Sequence, residues 1–240
     1  MAATECVRLT YAFDAYCPWC YGFGPTLRSF AQDNAHRIRL HIRSAGLSTG
    51  ARARPVSAHP RMAEECERVT RLTGVGFGAG FSRALTDGTT VADSTAAAAG
   101  LALLYGQADE VGVEHLDAAE AVQQAWFVDG RSLADPEVYH DIAAGLGLDA
   151  SSVTAAYASP EPWEQARADF RALRRLHVTT YPTLLLHTAH GAGRLGGAAS
   201  TAASLTAALD QCLAGAFPRP SSTHPDPLPP QPPPPEGELS

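Results

Sequence analysis

Two cysteines separated by two residues, in the segment Cys17-Pro18-Trp19-Cys20, are the side chains of this sequence best suited to chemistry. The residues before them, Val7 to Phe13, mix β-branched, aromatic and apolar types and predict a short buried strand. The residues after them, Cys20 to Asn34, carry apolar side chains at helical spacing and predict a helix. The pair is therefore predicted at the point where a strand passes into the first turn of a helix. A redox-active dithiol needs this placement.

The position of Cys17 at a helix N-terminus favours its thiolate, because unpaired backbone N–H groups and the helix dipole stabilise an anion there. The thiolate is the reactive form of cysteine. Cys20 lies one turn deeper on the same face of the predicted helix, close enough to form a small disulfide with Cys17. Pro18 suits the first helical turn, where its missing N–H costs nothing. The Trp19 ring would lie beside the sulfur, where it could contact an unfolded or apolar partner.

Two other interpretations of this pair are half of a zinc site and two unrelated buried thiols. A zinc site would need a second cysteine or histidine pair at ligand spacing, and Cys6, Cys66 and Cys212 are isolated from one another. The 9 histidines show no two-histidine helix spacing with a carboxylate. The sequence therefore predicts redox chemistry at Cys17 and Cys20 and no metal site. We expect Cys66 to be a buried core thiol and Cys212 to be structural.

The composition limits the classes of partner. The 240 residues are 45% hydrophobic, enough for one globular unit with a substantial core or one domain that carries an insertion. The net charge of −7 argues against a nucleic-acid groove or an anionic membrane as partner. Lysine is absent and all 18 basic residues are arginine, so lysine nucleophiles and Schiff bases are excluded.

The N-terminal residues and the cysteine count indicate the cellular compartment. The stretch from Met1 to Cys6 contains neither a basic nor an apolar segment, so no secretory signal is visible. No apolar run approaches transmembrane length. The 5 cysteines, an odd number, do not resemble a structural disulfide framework. We therefore expect a cytoplasmic protein in which an active-site disulfide is transient.

Further strands and a tail are predicted outside the helical middle of the chain. Arg37 to Ser44 alternates apolar and polar residues and predicts a half-buried strand. Gly74 to Gly80 lacks the ending of a phosphate loop, and we interpret it as a turn. An apolar strand is predicted directly after Tyr181-Pro182, where proline is tolerated, and Gly191 and Gly193 predict a hairpin into a short strand, Arg194 to Gly196. From Phe217 to Ser240 proline dominates, which predicts a polyproline II tail.

Helical patterns predict the remaining elements, at Met62 to Thr73, Thr95 to Tyr105, Val113 to Phe127, from Asp135 onward, Ser151 to Tyr157, Pro160 to Leu176 and after a cap at Ser200 or Thr201. The outer segments then follow the orders β-α-β and β-β-α, which form a four-stranded mixed sheet with helices on both faces. We therefore predict an α/β fold in which residues 57–176 form a helical insertion, large enough for a small core of its own. Residues 1–56 and 177–215 form the two parts of the sheet domain, and residues 216–240 form the tail.

Three segments carry a resemblance to a known family: Phe13 to Gly22 around the cysteines, Ala45-Gly46-Leu47, and Val178 to Thr183. Through them the sequence resembles the DsbA-like branch of the thioredoxin superfamily, and within it the cytosolic FrnE-like, or predicted protein-disulfide isomerase, group. The resemblance covers residues 6–214. It implies a thioredoxin fold with an inserted helical domain. It also implies no cofactor beyond a redox-active disulfide, with glutathione as the candidate co-substrate.

The resemblance also implies roles for individual residues. Cys17 would be the attacking thiolate and Cys20 the resolving thiol. Pro182 would be the cis proline of the fold, packed against the dithiol, and the backbone of Tyr181 before it would pair with a substrate peptide. A trans proline at the start of a strand is the alternative. The residues expected to contact the substrate are Pro18, Trp19, Tyr181 and Pro182.

This sequence departs from the family's pattern at two points. The intervening pair is Pro-Trp, without the histidine of strongly oxidising relatives, so we expect a less oxidising dithiol. No carboxylate is assignable from the sequence as the buried proton shuttle of thioredoxins, and we expect Asp14 to cap or orient the turn.

Three functions fit the sequence. The first is a thiol–disulfide oxidoreductase that acts on protein or small-molecule thiols and disulfides through a mixed disulfide. The second is a glutathione-dependent transferase or a 2-hydroxychromene-2-carboxylate isomerase related to the kappa class, which relies on a serine or a single thiol at the position of Cys17 and does not need Cys20. The third is a partner-binding module that acts through the proline-rich tail. The presence of both thiols favours the first.

Overall fold

In the computed structural model, residues 6–189 and 191–215 are described. The strands are β1 (Val7–Phe13), β2 (Ile38–Ser44), β3 (Arg54–Pro55), β4 (Val91–Ala92), β5 (Thr183–Thr188) and β6 (Gly191–Gly197). The helices are α1 (Pro18–Asp33), α2 (Met62–Thr73), α3 (Ala79–Asp87), α4 (Ser94–Val111), α5 (His115–Phe127), α6 (Pro136–Gly145), α7 (Ala150–Tyr157), α8 (Pro160–Arg175) and α9 (Ala202–Leu213). None of the helices in the described ranges is long and apolar enough to cross a membrane. The predicted tail, residues 216–240, lies outside these ranges.

The predicted four-stranded mixed sheet is confirmed, in the order β2-β1-β5-β6. β1 pairs parallel with β2, whereas β5 pairs antiparallel with β1 and with β6. β1 is central because it is apolar on both faces: Leu9 and Phe13 pack into the main core, and Ala12 packs on the opposite face. β2 alternates apolar with charged residues and lies at the edge. The α/β thioredoxin fold with an inserted helical region is therefore the fold of this chain.

The ends of the helices follow local sequence signals. The side chains of Asp93, Asp135 and Asp149 accept hydrogen bonds from backbone N–H groups in the first turns of α4, α6 and α7. At α9, Thr201 and Ser204 form a reciprocal capping box. Three helices, α2, α3 and α4, end at glycines with left-handed backbone, which are Gly74, Gly88 and Gly112.

Helix α3 is not predicted from the sequence, and the interpretation of Gly74 to Gly80 as a turn is wrong beyond Gly78. Gly78 is the N-cap residue of α3. A Cβ at Gly78 or at Gly80 would collide with backbone atoms just after α5. Phe81 of α3 is buried against the rings of Phe77, Trp126 and Phe127. These glycines therefore serve the close approach of α3 to α5, and burial of Phe81 stabilises the helix.

The helical region and the sheet share one core. The largest cluster of buried side chains includes Leu9 of β1, Phe30 of α1, Trp126 of α5 and Tyr139 of α6. The ring centroid of Trp126 lies 5.4 Å from that of Tyr16, the residue before Cys17. Ala98, Ala166 and Phe170 form a small separate cluster between α4 and α8, whereas the aromatic side chains of α5 belong to the shared core and reach the cysteine turn.

Helix α8 links the helical region to the second face of the sheet. Leu173 of α8 belongs to a buried cluster with Ala12 of β1 and Leu185 of β5. The guanidinium group of Arg43 on β2 donates a hydrogen bond to the carboxylate of Asp169 on α8. Another side of α8 packs along α4. The division of the chain at residues 56 and 176 stays a prediction.

The packing of α4 against α6 predicts how the addition of one methyl group to a glycine of α4 changes the free energy of unfolding. A Cβ at Gly100 would collide with the ring of Tyr139, whose hydroxyl donates to the carbonyl of Leu133 at 2.7 Å and so fixes the ring. We expect Gly100→Ala to lower the free energy of unfolding by about 1–3 kcal/mol, the usual cost of overpacking. Gly106 on the same helix is exposed and has open space around its Cβ, so Gly106→Ala should raise it by about 0.5–1 kcal/mol. Urea denaturation of both variants checks this, and effects of the same sign would contradict the packing.

Candidate active site

The two cysteines lie at the strand-to-helix turn, as the sequence predicts. Helix α1 begins at Pro18, and Cys17 is its N-cap residue with extended backbone. The N–H groups of Cys20 and Tyr21 donate to the carbonyl of Cys17 at 3.0 and 3.1 Å. Cys20 therefore lies one helical turn beyond Cys17. Both are free thiols in this structure.

The two thiols differ in their surroundings. Cys20 is fully buried, and burial raises the pKa of its thiol well above its usual value, with a further increase from Cys17 beside it. Cys17 is 5% exposed. The Sγ atom of Cys17 donates to the backbone carbonyl of Tyr181 at 3.8 Å. Cys17 thus lies at the surface of the site and Cys20 lies behind it.

The loop before β5 forms the opposite side of the site. The Tyr181–Pro182 peptide bond is cis, so the alternative of a trans proline is wrong. Pro182 is buried, and Tyr181 is half-buried with its hydroxyl donating to the carbonyl of Val178 at 3.5 Å. β1 and β5 pair with Ala12 opposite Thr183, which brings this loop to the cysteines. The sheet therefore joins two segments that lie 164 residues apart in the sequence.

Trp19 lies between the cysteines on the helix and contacts α2. The guanidinium carbon of Arg68 lies 5.5 Å from the centroid of the Trp19 ring, a cation–π distance. Trp19 remains partly exposed, whereas Pro18 is buried. Contact of the Trp19 ring with a substrate therefore stays a prediction, and a Pro18 contact would require its covering residues to move.

Asp14 organises the turn in front of the cysteines. Its carboxylate accepts hydrogen bonds from the N–H of Tyr16 at 3.0 Å and from the N–H of Leu47 at 2.8 Å. Its backbone carbonyl accepts from the N–H of Cys17 at 3.1 Å and from Nε2 of Gln123 at 3.4 Å. The residue is 1% exposed, and burial raises the pKa of the carboxyl although the hydrogen bonds from N–H groups oppose the increase. The expectation that Asp14 orients the turn is confirmed. Asp14 is also a buried carboxylate beside the dithiol, a feature that could not be identified from the sequence.

Two more polar side chains reach the site without being singled out from the sequence. The hydroxyl of Tyr11 donates to the carbonyl of Cys20 at 3.4 Å, and burial raises its pKa, with further increases from the two cysteines. Gln123 of α5 is buried, and its amide bonds the Asp14 carbonyl. Tyr11 could have been identified from the sequence because it lies on the same face of β1 as Leu9 and Phe13. Gln123 could have been identified as a polar residue on the apolar face of α5.

The other cysteines are buried in helices or lie at the start of β1. Cys66 of α2 and Cys212 of α9 are buried, which confirms the expectation for Cys66. Burial raises the pKa of Cys66 to about 12, so its thiol is protonated at neutral pH. Within residues 6–189 and 191–215, no three His, Cys, Asp or Glu side chains come together as a metal site requires.

A four-stranded sheet of this topology, with two cysteines at the first turn of α1 and a cis proline facing them, is the arrangement of a thioredoxin fold. The model of the DSBA-like thioredoxin domain family matches residues 8–205. The chain therefore belongs to the DSBA-like thioredoxin domain family. Its predicted class, a disulfide oxidoreductase or isomerase of that family, is confirmed. Among curated proteins, none matches this sequence.

Solved structures share this fold over most of the chain. A protein from Nitrosomonas europaea, provisionally assigned as a protein disulfide isomerase, is 19% identical with a TM-score of 0.74, over 88% of this chain and 99% of that chain. The cytosolic disulfide reductase DsbM from Pseudomonas aeruginosa is 24% identical with a TM-score of 0.71, over 86% of this chain and 98% of that chain. DsbM with GSH is likewise 24% identical with a TM-score of 0.69, over 86% and 99% of the two chains. At these identities the likeness establishes the fold.

The buried carboxyl of Asp14 predicts a pH-dependent stability. Because its pKa in the folded chain is raised above 3.8, the folded state binds this proton more tightly than the unfolded state does. This contribution to stability is present below pH 3.8 and is lost as the pH rises through the raised pKa. Asp14→Asn cannot ionise, so the wild type should lose stability relative to the variant as the pH rises through this range. Urea denaturation of both proteins between pH 3 and pH 7, values chosen to bracket ordinary carboxyl titration, measures the difference.

Asp149 provides the matched control. Its exposed carboxylate caps α7 through Ser152, and these hydrogen bonds lower its pKa. Its contribution is present above the unfolded pKa and is lost as the pH falls, so the difference for Asp149→Asn should have the opposite sign. A difference for Asp14→Asn that does not vary with pH would contradict the burial described for Asp14.

Proposed function

We propose that this protein is a thiol–disulfide oxidoreductase in which Cys17 and Cys20 form the redox-active pair and the partners are protein or small-molecule disulfides. One observation carries the proposal: Cys17 caps α1, with Cys20 one turn beyond, and its Sγ lies 3.8 Å from the carbonyl of Tyr181. Membership of the DSBA-like thioredoxin domain family supports the same chemistry.

The proposed reaction is two successive thiol–disulfide exchanges. The Cys17 thiolate attacks one sulfur of the partner disulfide, which forms a mixed disulfide and releases the other partner sulfur as a thiolate. Cys20 then loses its proton and attacks Sγ of Cys17, which forms the Cys17–Cys20 disulfide and releases the second partner sulfur. The dithiol is oxidised by two electrons and the partner is reduced by two. A small thiol such as glutathione regenerates the dithiol by the reverse exchange.

The surroundings of each thiol support this order of attack. Burial disfavours the thiolate of Cys20 and keeps it from a partner, so the first attack falls to Cys17 at the helix N-terminus. We expect the Tyr181 carbonyl beside Cys17 to accept a hydrogen bond from the N–H of an extended substrate. Trp19 presents partly exposed apolar surface at the same edge.

We further propose that the physiological direction is reduction, with glutathione as electron donor, in the cytoplasm. The Pro-Trp pair lacks a histidine that would stabilise a thiolate, which favours a reducing dithiol. DsbM, which shares the fold, is a cytosolic disulfide reductase, and its structure with GSH matches this chain equally well in coverage.

Trapping of the mixed disulfide tests the proposal. Cys20→Ser cannot complete the second exchange, so it should accumulate a covalent adduct at Cys17 when mixed with oxidised glutathione, whereas Cys17→Ser should form none. Both variants should lose disulfide reductase activity toward insulin by roughly 100-fold or more, because the two thiols act as one unit. Intact-mass spectrometry and an insulin-reduction assay measure the two effects.

Cys212→Ser is the matched control, because it removes a buried thiol on α9 and leaves the pair untouched. It should retain wild-type activity and a reversible two-electron couple in a glutathione redox titration. Activity of Cys20→Ser with glutathione and an electrophile at the wild-type level would instead favour the glutathione-dependent transferase or isomerase and would reject the dithiol mechanism.

A further inference from the structure

The outer edge of β2 faces a cavity at the side of the sheet. The cavity has a volume of about 640 Å³ and is lined by five consecutive residues of the strand, Ile38 to Ile42. Its other walls are the end of α1, at residues 31–35, and the segment between α4 and α5, at residues 109–116. β2 is the terminal strand of its sheet, so this edge has no neighbouring strand in the described chain.

The register fixes which backbone groups of β2 point into the cavity. The N–H of Val7 donates to the carbonyl of Arg37 at 3.0 Å, immediately before the parallel pairing of β1 with β2. Backbone groups alternate along a strand, so the odd-numbered residues of β2 bond β1. The N–H and C=O groups of the even-numbered residues therefore point outward, at Ile38, Leu40 and Ile42.

Among the described residues, the two ends of this edge lie against other parts of the chain. The N–H of Ile38 donates to the carbonyl of Asn34 at 3.1 Å. At the other end, the backbone of Ser44 lies near the carboxylate of Asp169 on α8, which accepts a hydrogen bond from Arg43 of β2. Among residues 6–189 and 191–215, the N–H groups of Leu40 and Ile42 have no hydrogen-bond partner. An open stretch of strand edge between two covered ends is a template for one short added strand.

The charge beside this edge selects the partner. Arg39 and His41 are exposed on one face of β2, and Arg8 of β1 lies directly across from Arg39. Like charges at opposed positions of a sheet are destabilising. Neither Arg8 nor Arg39 forms an ion pair with another described residue. Burial and the neighbouring arginines lower the pKa of His41, so the positive charge here is that of Arg8 and Arg39. These two arginines lack an anionic counterpart in the described chain, and acidic side chains on an added strand would supply it.

The other face of the edge is apolar. Ile38 and Ile42 are buried and Leu40 is half-buried, all within the main core cluster, and Val113 and Leu116 belong to the same cluster. Of the acidic residues on the cavity wall, Asp109 lies 3.0 Å from Nε2 of His115, and Glu114 is exposed. An added strand would thus meet apolar side chains on one face and arginine and histidine on the other.

We propose that the outer edge of β2 binds an extended segment of a partner protein, with alternating acidic and apolar residues, as a fifth strand of the sheet. Backbone bonds to Leu40 and Ile42 hold the segment, and its acidic side chains lie beside Arg39 and His41. A second copy of this chain fits less well, because a paired β2 edge would bring the arginines of the second copy, and no carboxylate from β2, beside Arg8 and Arg39. The proposal rests on the sheet edge and is independent of the dithiol.

Two designed peptides test the proposal. The probe is a fluorescein-labelled peptide of alternating valine and glutamate, and its control carries lysine in place of every glutamate. We expect the glutamate peptide to bind at least about tenfold more tightly, measured by fluorescence anisotropy, because like-charge contacts penalise the lysine peptide. Arg39→Glu should reverse this preference, with His41→Glu as the second variant if the first does not fold. Hydrogen exchange at the amides of Leu40 and Ile42 should slow when the glutamate peptide binds.

Several results would overturn the proposal. These are no binding of the glutamate peptide, equal binding of both peptides, or binding without slower exchange at Leu40 and Ile42. A glutamate peptide with its strand-facing amides N-methylated should not bind, and undiminished binding would contradict backbone pairing. Self-association in sedimentation experiments, with the two amides protected before any peptide is added, would assign the edge to a second copy instead. The redox couple of Cys17 and Cys20 should be unchanged in Arg39→Glu, which verifies that the variant is folded.

Discussion

The geometry of this site depends on the hydrogen bonds of one buried residue, Asp14. The carboxylate accepts hydrogen bonds from the N–H of Tyr16 within the turn and from the N–H of Leu47 after β2. The backbone carbonyl of Asp14 accepts a hydrogen bond from the side-chain amide of Gln123 on α5. These hydrogen bonds therefore join three segments that are far apart in the sequence. They meet at Asp14, which lies three residues before Cys17. A buried N–H left without a partner costs about 1–3 kcal/mol, so alternative conformations of the turn are disfavoured. Asp14 therefore fixes the path of the turn that leads from β1 to Cys17 and the start of α1.

The rest of the fold places the two sides of the site against each other. The turn belongs to β1, the cis proline loop belongs to β5, and the register of these strands sets the distance between Cys17 and Tyr181. The helical region is part of the same arrangement, because Trp126 packs on Tyr16 in the shared core. Changes in the helices therefore reach the cysteine turn through direct packing.

Sequence patterns predicted the parts of this molecule that depend on near neighbours. The strand, the dithiol, the helix start at Pro18 and the cap at Asp135 all follow from residues within one turn of each other. α3 was missed because its glycines lower helix propensity, whereas burial of Phe81 against distant rings stabilises it. α4 extends to Val111, beyond the predicted end at Tyr105, with the exposed Gly106 inside it. The bonds of Asp14 to Leu47 and to Gln123 span long stretches of chain that no local pattern encodes.

The antiparallel pairing of β1 with β5 has a consequence for the newborn chain. Cys17 and Cys20 leave the ribosome early, whereas β5 and the carbonyl that meets Cys17 come 164 residues later. β2 can pair with β1 at once, but closing a loop of that length is entropically unfavourable and delays the sheet. Until then both thiols lack the cover that encloses them in the finished protein. During synthesis the sulfurs of Cys17 and Cys20 are therefore open to any oxidant near the ribosome until β5 has been made.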